Sequence, residues 1–580
     1  MAHQSGTPAF PGKSLIVGLA AALSVAAHAA PSSAIDRDLT DVSVDRLHAL
    51  YQTHRYTVRQ VVQWHLDRLR RYNGVYKVAP AILDDEALAE AAHEDAEARR
   101  PGFQPPALWG VPIVVKANMS IRGRVTTAGW HGFMLPGHAL VAPRDATVVA
   151  RLRAAGAIVI GVTNMPDFAA SDTTRSTAFG RTGNAYDVRF SPGGSSGGTV
   201  TAVTGNMAMI GTGTDTGNSI RMPVATSNLV GIFPTRGLVS IAGIAPLDSL
   251  LDNAGPIARS VPDAAAMLTV MAGEDPLDPV TAGASAKAES GPYTRYLVPG
   301  SLRGKRFAVP AFILDGDSPV FQGICPGTST EAAAKARRDA RVPLKPETRA
   351  AFLRAVAELR AAGATVIVDP EILPDSFADT ASQVCTLPYL REGYDHFLAH
   401  FGPPEYRSVA AYEKATGHPL PEAVIGGAGT ALSGQPNVRQ VRLEDDPEAE
   451  RTYLGPRRFL LARYVAEMDR LHLDGFVYPA IQMPPPDETM PQDHQLSGGP
   501  HSATDWVNMI GVPAISIPAG FYADGLPFGI ELSARPWRDG DLISWAYDYE
   551  RQTHHRRRPV LVEQGLLPEA AKPLDPTDGP

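Results

Sequence analysis

Cysteine is nearly absent: 580 residues contain two, Cys325 and Cys385. That excludes a disulfide framework and a cysteine-rich zinc site. No charge of one sign dominates. Lysine and arginine number 53 against 61 acidic residues, for a net charge of −8. A mildly acidic chain lacks the basic excess that a nucleic acid or an anionic membrane surface selects. No apolar run reaches the ~20 residues that a membrane-spanning helix needs. The zinc pattern His-Glu-x-x-His is missing, because Glu97 stands where a second histidine would follow His93-Glu94. A phosphate-cradling loop is missing too: Gly197-Gly198 lead into Thr199-Val200, with no Gly-Lys-Ser/Thr. What is present is 44% hydrophobic and 20% charged residues, with 53 glycines and 51 prolines. This is a soluble globular balance with many loops and tight turns, long enough for one large domain or two to three ordinary ones.

The N-terminus reads as an address. Lys13 precedes an apolar run from Ser14 to Ala26, followed by Ala27-His28-Ala29. A basic start, a short apolar stretch and a small-x-small triplet describe a secretory signal peptide cleaved after Ala29. The expectation is a chain exported to the periplasm or the exterior, with residues 1–29 removed and no membrane span thereafter. In an oxidising compartment Cys325 and Cys385 could close a loop of about sixty residues or stay as two buried thiols; their spacing does not decide between these.

Hydrophobic periodicity outlines an α/β chain. Ser43 to Tyr72 reads as two helices, with Thr57 capping the second over Val58, Val61, Val62, Leu66 and Leu69. Ala87 to Arg99 is a third helix. Val111 to Val115 is a short apolar strand. Asp145 is expected to cap a helix ended by Gly156, with Ala157 to Val162 as the next strand. Thr348 to Ala362 and Ala364 to Val368 repeat helix and strand. Further strands fall at Phe476–Tyr478, Ala514–Ile517 and Phe528–Leu532. Strand and helix in alternation imply layers around a sheet. Residues 315–345 read as an insertion, 482–500 as a Pro/Gly loop, 554–558 as a solvated basic helix end, and 568–580 as a loose tail.

The chemistry concentrates in the middle. Ser191-Pro-Gly-Gly-Ser-Ser-Gly-Gly-Thr199 and Gly211-Thr-Gly-Thr-Asp-Thr-Gly-Asn-Ser-Ile-Arg-Met-Pro223 are two glycine-flanked hydroxyl clusters. The stretch between them, Thr199 to Met209, is long enough for a helix that returns the chain to the same locality. Gly193-Gly194-Ser195-Ser196-Gly197 also fits the G-x-S-x-G nucleophile elbow, for which His501 is the obvious histidine. Gly110-Val-Pro-Ile-Val-Val-Lys116 sets a lysine at the end of an apolar strand, and lysine is rarely buried without a reason.

Lys116, Gly193–Gly198 and Gly217-Asn-Ser-Ile-Arg221, in this order, resemble the amidase signature family. The likeness extends from about Leu47 to Glu550. It takes in Asp145-Ala-Thr-Val-Val, Thr163-Asn-Met, Phe179-Gly, Asn184, Leu229-Val-Gly-Ile-Phe-Pro-Thr-Arg-Gly, Asp252-Asn-Ala-Gly-Pro and Asn508-Met-Ile-Gly-Val-Pro. The resemblance implies one large α/β domain over residues 30–567, with a signature core at about 110–260. Its fold is a large mixed central β-sheet covered by helices on both faces. It implies hydrolysis of an amide C–N bond by a Ser–cis-Ser–Lys triad, with Ser219 as nucleophile, Ser195 as proton bridge and Lys116 as base. Backbone N–H groups of Thr216, Gly217, Asn218 and Ser219 would form the oxyanion hole, with Ser196, Asp215 and Arg221 in support. No cofactor and no metal is implied. Lys116 must be neutral to act, so burial should depress its pKa and activity should rise with pH.

Two positions depart from the family's commonest pattern. Ala117 stands where an aspartate often follows the lysine, and Asn218 where a second glycine usually precedes the nucleophile. The Asn218 side chain is expected to narrow or polarise the acyl site. Three functions compete: an exported amidase of small or peptide amides; an esterase or carbamate hydrolase with the same triad; and a non-catalytic or amidotransferase-type subunit, against which the signal sequence and the intact triad argue. Specificity should come from loops at residues 315–345, 381–432 and 482–500, with Cys385, Tyr389 and Trp506 as acyl-pocket candidates that could equally be core.

Overall fold

The structure is a computed structural model that describes residues 33–314, 325, 343–421, 438–489 and 499–563. The expected signal peptide, nearly all of the expected insertion and the C-terminal tail lie outside the described residues. Residues 1–40 and 41–580 form separate compact units. In the first, Ser33 and Asp36 make a reciprocal capping box on the helix Ala34–Leu39.

The second unit is a single large α/β domain built on one mixed sheet of eleven strands. In chain order these are β1 (Ala81–Ile82), β2 (Val111–Lys116), β3 (Ala157–Thr163), β4 (Ile210–Asp215), β5 (Val230–Phe233) and β6 (Asn253–Ala258), then β7 (Arg306–Val309), β8 (Thr365–Val368), β9 (Gly475–Pro479), β10 (Ala514–Phe521) and β11 (Pro527–Ala534). Their spatial order is β1-β3-β2-β4-β6-β5-β10-β11-β9-β7-β8. β3, β2 and β4 run parallel, as do β9, β7 and β8, while the central strands from β4 to β9 pair antiparallel. β2, β3, β4, β6 and β9 are buried at every residue. Strands covered on both sides need apolar runs rather than alternation, and Val-Pro-Ile-Val-Val and Ala-Ile-Val-Ile-Gly-Val are such runs.

The helices follow the expected periodicity with shifted ends. Val58–Tyr76 carries the expected stripe, and Thr57 caps it in a capping box with Gln60. Asp84–Glu97 begins three residues before the expected start, its first turn made acidic by Asp84, Asp85 and Glu86. Pro346–Ala361 uses proline at its first turn. The expected cap at Asp145 does not form. The helix Thr147–Ala154 has Ala146 as its N-cap and no side-chain cap, and Asp145 Oδ1 instead accepts from the Arg122 N–H at 2.7 Å. The basic run after the helix Asp539–Thr553 is not wholly solvated either. Arg556 is largely buried and donates to Thr204 Oγ1 at 2.7 Å and to Asp41 Oδ1 at 3.0 Å.

Cys325 and Cys385 are joined by a disulfide, with Cα atoms 5.0 Å apart, which settles the pairing that their spacing left open. Among the described residues no helix is long and apolar enough to cross a membrane, and no cluster of potential metal ligands occurs.

Candidate active site

Topology gathers the two hydroxyl clusters and the lysine. β2 and β4 are neighbours, so Lys116 at the end of β2 lies beside Thr212 and Thr214 of β4: the Lys116 N–H donates to Thr212 Oγ1 at 3.0 Å. The helix Gly197–Thr204 packs on both strands and begins just after Ser195-Ser196, which brings those serines over the lysine. It is shorter than the expected Thr199–Met209, because the chain turns at Gly205 to enter β4. The glycines of this segment are required by close approach. A Cβ on Gly194 would stand 2.3 Å from the Thr173 carbonyl oxygen, and one on Gly198 would stand 2.5 Å from the Asn164 nitrogen. The Gly194–Ser195 peptide bond is cis, as the resemblance implied.

Lys116 is completely buried. Its Nζ lies 2.7 Å from Ser195 Oγ, 3.0 Å from Ser196 Oγ, 2.8 Å from Thr214 Oγ1 and 3.2 Å from the Thr214 carbonyl oxygen. Four oxygens surround a nitrogen with three protons when charged and two when neutral. Ser196 Oγ also lies 3.3 Å from the Thr214 carbonyl, to which it can donate. Ser195, the shortest contact, is thus well placed to turn its proton toward the amine lone pair. Among the described residues no carboxylate touches the amine. Burial pushes the Lys116 pKa down from 10.5 to about 7, against smaller upward pulls from Asp215 and Asp252. Burial therefore favours the neutral, proton-accepting form of the amine.

Ser219 is buried as a residue, at 6% exposure. Its Oγ makes no hydrogen bond among the described residues, yet it is not closed off from solvent. No hydrogen bond joins it to Ser195, a contact that catalytic sites often make only once substrate is bound. The backbone N–H groups of Thr216, Gly217, Asn218 and Ser219 likewise donate to no acceptor among the described residues. Among the described residues, four successive donors without an acceptor thus adjoin a hydroxyl without a partner, an arrangement suited to a negatively charged oxygen.

The loop is held from beneath. Asp215 Oδ2 accepts from the Ile220 N–H at 2.9 Å and from Arg221 Nε at 3.1 Å. Arg221, fully buried, also donates to Glu531 Oε1 at 2.7 Å, to the Thr504 carbonyl, to the Gly217 carbonyl and to Asn508 Oδ1. Asn508 Nδ2 returns to the Asp215 carbonyl at 2.9 Å. Thr216 donates its hydroxyl to Asp252, whose carboxyl burial raises to about 7. Asp215 and Arg221, which the sequence reading named as supporting residues, bond to each other and to the backbone of Ile220 and Gly217. Thr214, Asp252, Asn508 and Glu531 received no role there, although the first three lie in quoted motif blocks. Glu531 had no signal except as a charge within an apolar strand.

The departures from the family pattern acquire partners. Asn218 Nδ2 lies 3.2 Å from Asp172 Oδ1 and 3.4 Å from Asp505 Oδ1. Ala117 pairs only through its backbone, its N–H donating to the Thr163 carbonyl at 3.1 Å. His501, the histidine required by the elbow alternative, lies with Nδ1 3.6 Å from Asp172 Oδ2 and makes no hydrogen bond to Ser195. Trp506 is not an acyl-pocket wall. Its ring packs in the core against Phe312, Phe377, Tyr464 and Tyr478. Tyr389 is core as well, its hydroxyl donating to Asp446 at 2.7 Å, and Cys385 is spent in the disulfide. A cleft of about 370 Å³ is lined by Trp130, Pro166, Asp167, Phe168, Ala170, Ser171, Arg175 and Pro421, of which Ser171 has its carbonyl oxygen 2.7 Å from where a Cβ on Gly194 would be.

Comparison with known proteins fits this geometry. The Amidase family model matches residues 60–321 and 332–543. A glutamyl-tRNA(Gln) amidotransferase subunit from Symbiobacterium thermophilum is 30% identical over 551 residues, covering 90% of this chain and 99% of that protein. Its namesake from a Synechococcus species is 30% identical over 534 residues, covering 90% and 94%. Among solved structures, the peptide amidase of Stenotrophomonas maltophilia superposes with a TM-score of 0.68 at 28% identity, covering 90% of this chain and 98% of that one. The chain belongs to the Amidase family, and it is an enzyme of amide C–N bond hydrolysis.

Proposed function

We propose that the protein cleaves its amide through an acyl-enzyme on Ser219, with Ser195 as proton bridge and Lys116 as base. The observation that carries this reading is the buried Lys116 amine, 2.7 Å from Ser195 Oγ and with its pKa depressed to about 7. Neutral Lys116 takes the Ser195 proton as Ser195 takes that of Ser219. The Ser219 oxygen attacks the carbonyl, and the N–H groups of residues 216–219 receive the oxyanion. As the C–N bond breaks, the proton returns through Ser195 to the departing amine. Water then attacks the ester and frees Ser219. One such oxyanion donor is typically worth on the order of 10²–10³ in rate.

The natural substrate is the finer question. The reading set first from sequence is an exported amidase of small or peptide amides. Its supports are the N-terminal signal pattern, the likeness to a peptide amidase, and the Cys325–Cys385 disulfide, a bond that persists mainly in oxidising compartments. The reading set last, an amidotransferase-type subunit, gains from the comparisons: the two relatives named above, each matched along nearly its whole length, carry that name. It is the reading that those names favour. Both assign the same bond cleavage to the same residues.

The test is purified wild type against Ser219→Ala on p-nitroacetanilide, p-nitrophenyl acetate and glutamine, between pH 6 and 10. Anilide cleavage that is lost in the variant supports the nucleophile and a free-standing amidase. Ammonia release from glutamine alone, rising when partner subunits are supplied, supports the amidotransferase reading. Ester cleavage alone supports the esterase alternative. Anilide cleavage retained in Ser219→Ala overturns the triad.

A further inference from the structure

The cleft of about 370 Å³ has no part in the proton transfers, yet its wall meets both serine loops. Ser171, a lining residue, has its carbonyl oxygen 2.7 Å from where a Cβ on Gly194 would be, and Gly194 precedes Ser195. The next residue, Asp172, accepts at Oδ1 from Asn218 Nδ2 at 3.2 Å, and Asn218 precedes Ser219. The lining is aromatic and closely packed. The Trp130 and Phe168 ring centroids are 5.2 Å apart, and the buried Phe133 ring lies 5.0 Å from the first and 5.6 Å from the second. The backbone that presents Phe168 is strained. Ala128, Phe168 and Ala169 have φ of 46°, 54° and 65°, and the Phe168 N–H donates to the Ala128 carbonyl at 2.7 Å. Residues with a side chain rarely adopt such values, and strain of this kind gathers at binding sites. The two charged lining residues already have partners. Asp167 accepts from the Thr177 N–H at one oxygen and from its hydroxyl at the other, each at 2.8 Å, and Arg175 Nη2 lies 3.8 Å from the Glu488 carboxylate.

We propose that this cleft is the subsite for an aryl group of the substrate, joined to the scissile amide by a short linker. The inference rests on the amide-hydrolase reading of Ser219 and names the substrate class of that site: arylalkyl amides. A cavity of about 150 Å³ already takes benzene, so about 370 Å³ holds a ring and part of its linker. The Trp130 and Phe168 rings favour an aromatic occupant over an alkyl one, because ring pairs gain more than their buried area alone supplies. The same ring could be carried on the acyl side or on the departing amine. The chemistry that the cleft recognises is the same for both, and the test separates them.

The test measures kcat/KM on two matched series. The acyl series sets phenylacetamide, 3-phenylpropanamide and 4-phenylbutanamide against acetamide, propanamide and butanamide. The amine series sets N-benzyl-, N-(2-phenylethyl)- and N-(3-phenylpropyl)acetamide against the N-methyl, N-ethyl and N-propyl compounds. Each is run on the wild-type full chain, on Trp130→Ala, and on Ala170→Trp, which fills the cleft from an exposed position. The readout is the phenyl-to-alkyl ratio within each protein, so a partial loss of folded enzyme cancels. In wild type the best pair of one series should reach roughly 10- to 100-fold, and that ratio should fall several-fold in each variant. The series that responds identifies the side that carries the ring. Wild-type ratios near one in both series overturn the inference while leaving the hydrolase reading intact. So does a high ratio that neither variant lowers, or refusal of every phenyl amide by an enzyme that cleaves p-nitroacetanilide or glutamine. Refusal of both series, the anilide and glutamine removes the hydrolase reading, and this inference with it.

Discussion

Lys116 and Arg221 are both fully buried cations, one bonded to Thr214 and the other to Gly217 of the same segment, and they have been given opposite chemistry. Among the described residues Lys116 hydrogen-bonds only to hydroxyls and a carbonyl oxygen, so burial outweighs the upward pull of Asp215 and Asp252 and drives the amine down to a pKa of about 7. Arg221 meets the carboxylates of Asp215 and Glu531, which hold it charged above its ordinary range in spite of the same burial. Buried charge alone therefore says nothing about function. The partner set decides: carboxylates fix a cation as a strut, whereas neutral dipoles leave it able to release its proton.

The contrast can be broken by mutation. Lys116→Met should lower kcat/KM by roughly 10⁴-fold or more, as loss of a triad member does elsewhere. Arg221→Met removes the cation from between two buried carboxylates. It should destabilise the fold by about 3–5 kcal/mol in denaturant titration, because Asp215 and Glu531 would be left uncompensated. The Lys116 variant should instead stabilise, by about 1–3 kcal/mol, since no carboxylate loses a partner. The sign follows from linkage. Folding lowers the Lys116 pKa from 10.5 to about 7, so in that window the unfolded chain holds a proton that the folded chain has shed. Wild-type stability from this group consequently rises with pH across the window. The advantage of Lys116→Met should be largest below pH 7 and fade toward pH 10.5. Equal destabilisation by the two variants would end the distinction between strut and base. The smallest expected effect is at Thr214→Val. Losing the hydroxyl that accepts from Lys116 Nζ at 2.8 Å should shift the activity profile a few tenths of a pH unit lower, on the order of half a kcal/mol.

The same contrast marks what the sequence made legible. Lys116 was conspicuous as a charge ending an apolar strand, and the hydroxyl clusters lie in contiguous glycine-rich blocks, so the proposed triad and the oxyanion loop could be named from residues and motif alone. The sheet was legible where strands are continuous apolar runs, as in β2 and β3. Glu531, Asp172 and Asp505 were not. Their partners are 310, 46 and 287 residues away, and a carboxylate inside a strand or a polar loop carries no local mark of such a contact. Trp506 was ambiguous for the same reason: an aromatic near a signature motif reads alike whether it faces substrate or four other rings. The missing cap at Asp145 shows a local preference overridden by a tertiary one, since the Arg122 N–H claims the carboxylate.

The most direct test of the account is the pH dependence of kcat/KM on an amide that the enzyme accepts, measured from pH 5 to 10. Lys116 is the proposed base and must be neutral, so activity should rise tenfold per pH unit on the acid side, bend near pH 7 and stay level above about pH 8. Asp252, also raised to about 7, faces Thr216, so the same profile on Asp252→Asn separates the two groups: the bend should persist, moved slightly lower by loss of that charge. A rate that keeps climbing past pH 9 would mean a lysine of ordinary basicity, and a bend abolished in Asp252→Asn would assign the titration to the aspartate. Either result would contradict the claim that burial without a carboxylate partner turns Lys116 into the base.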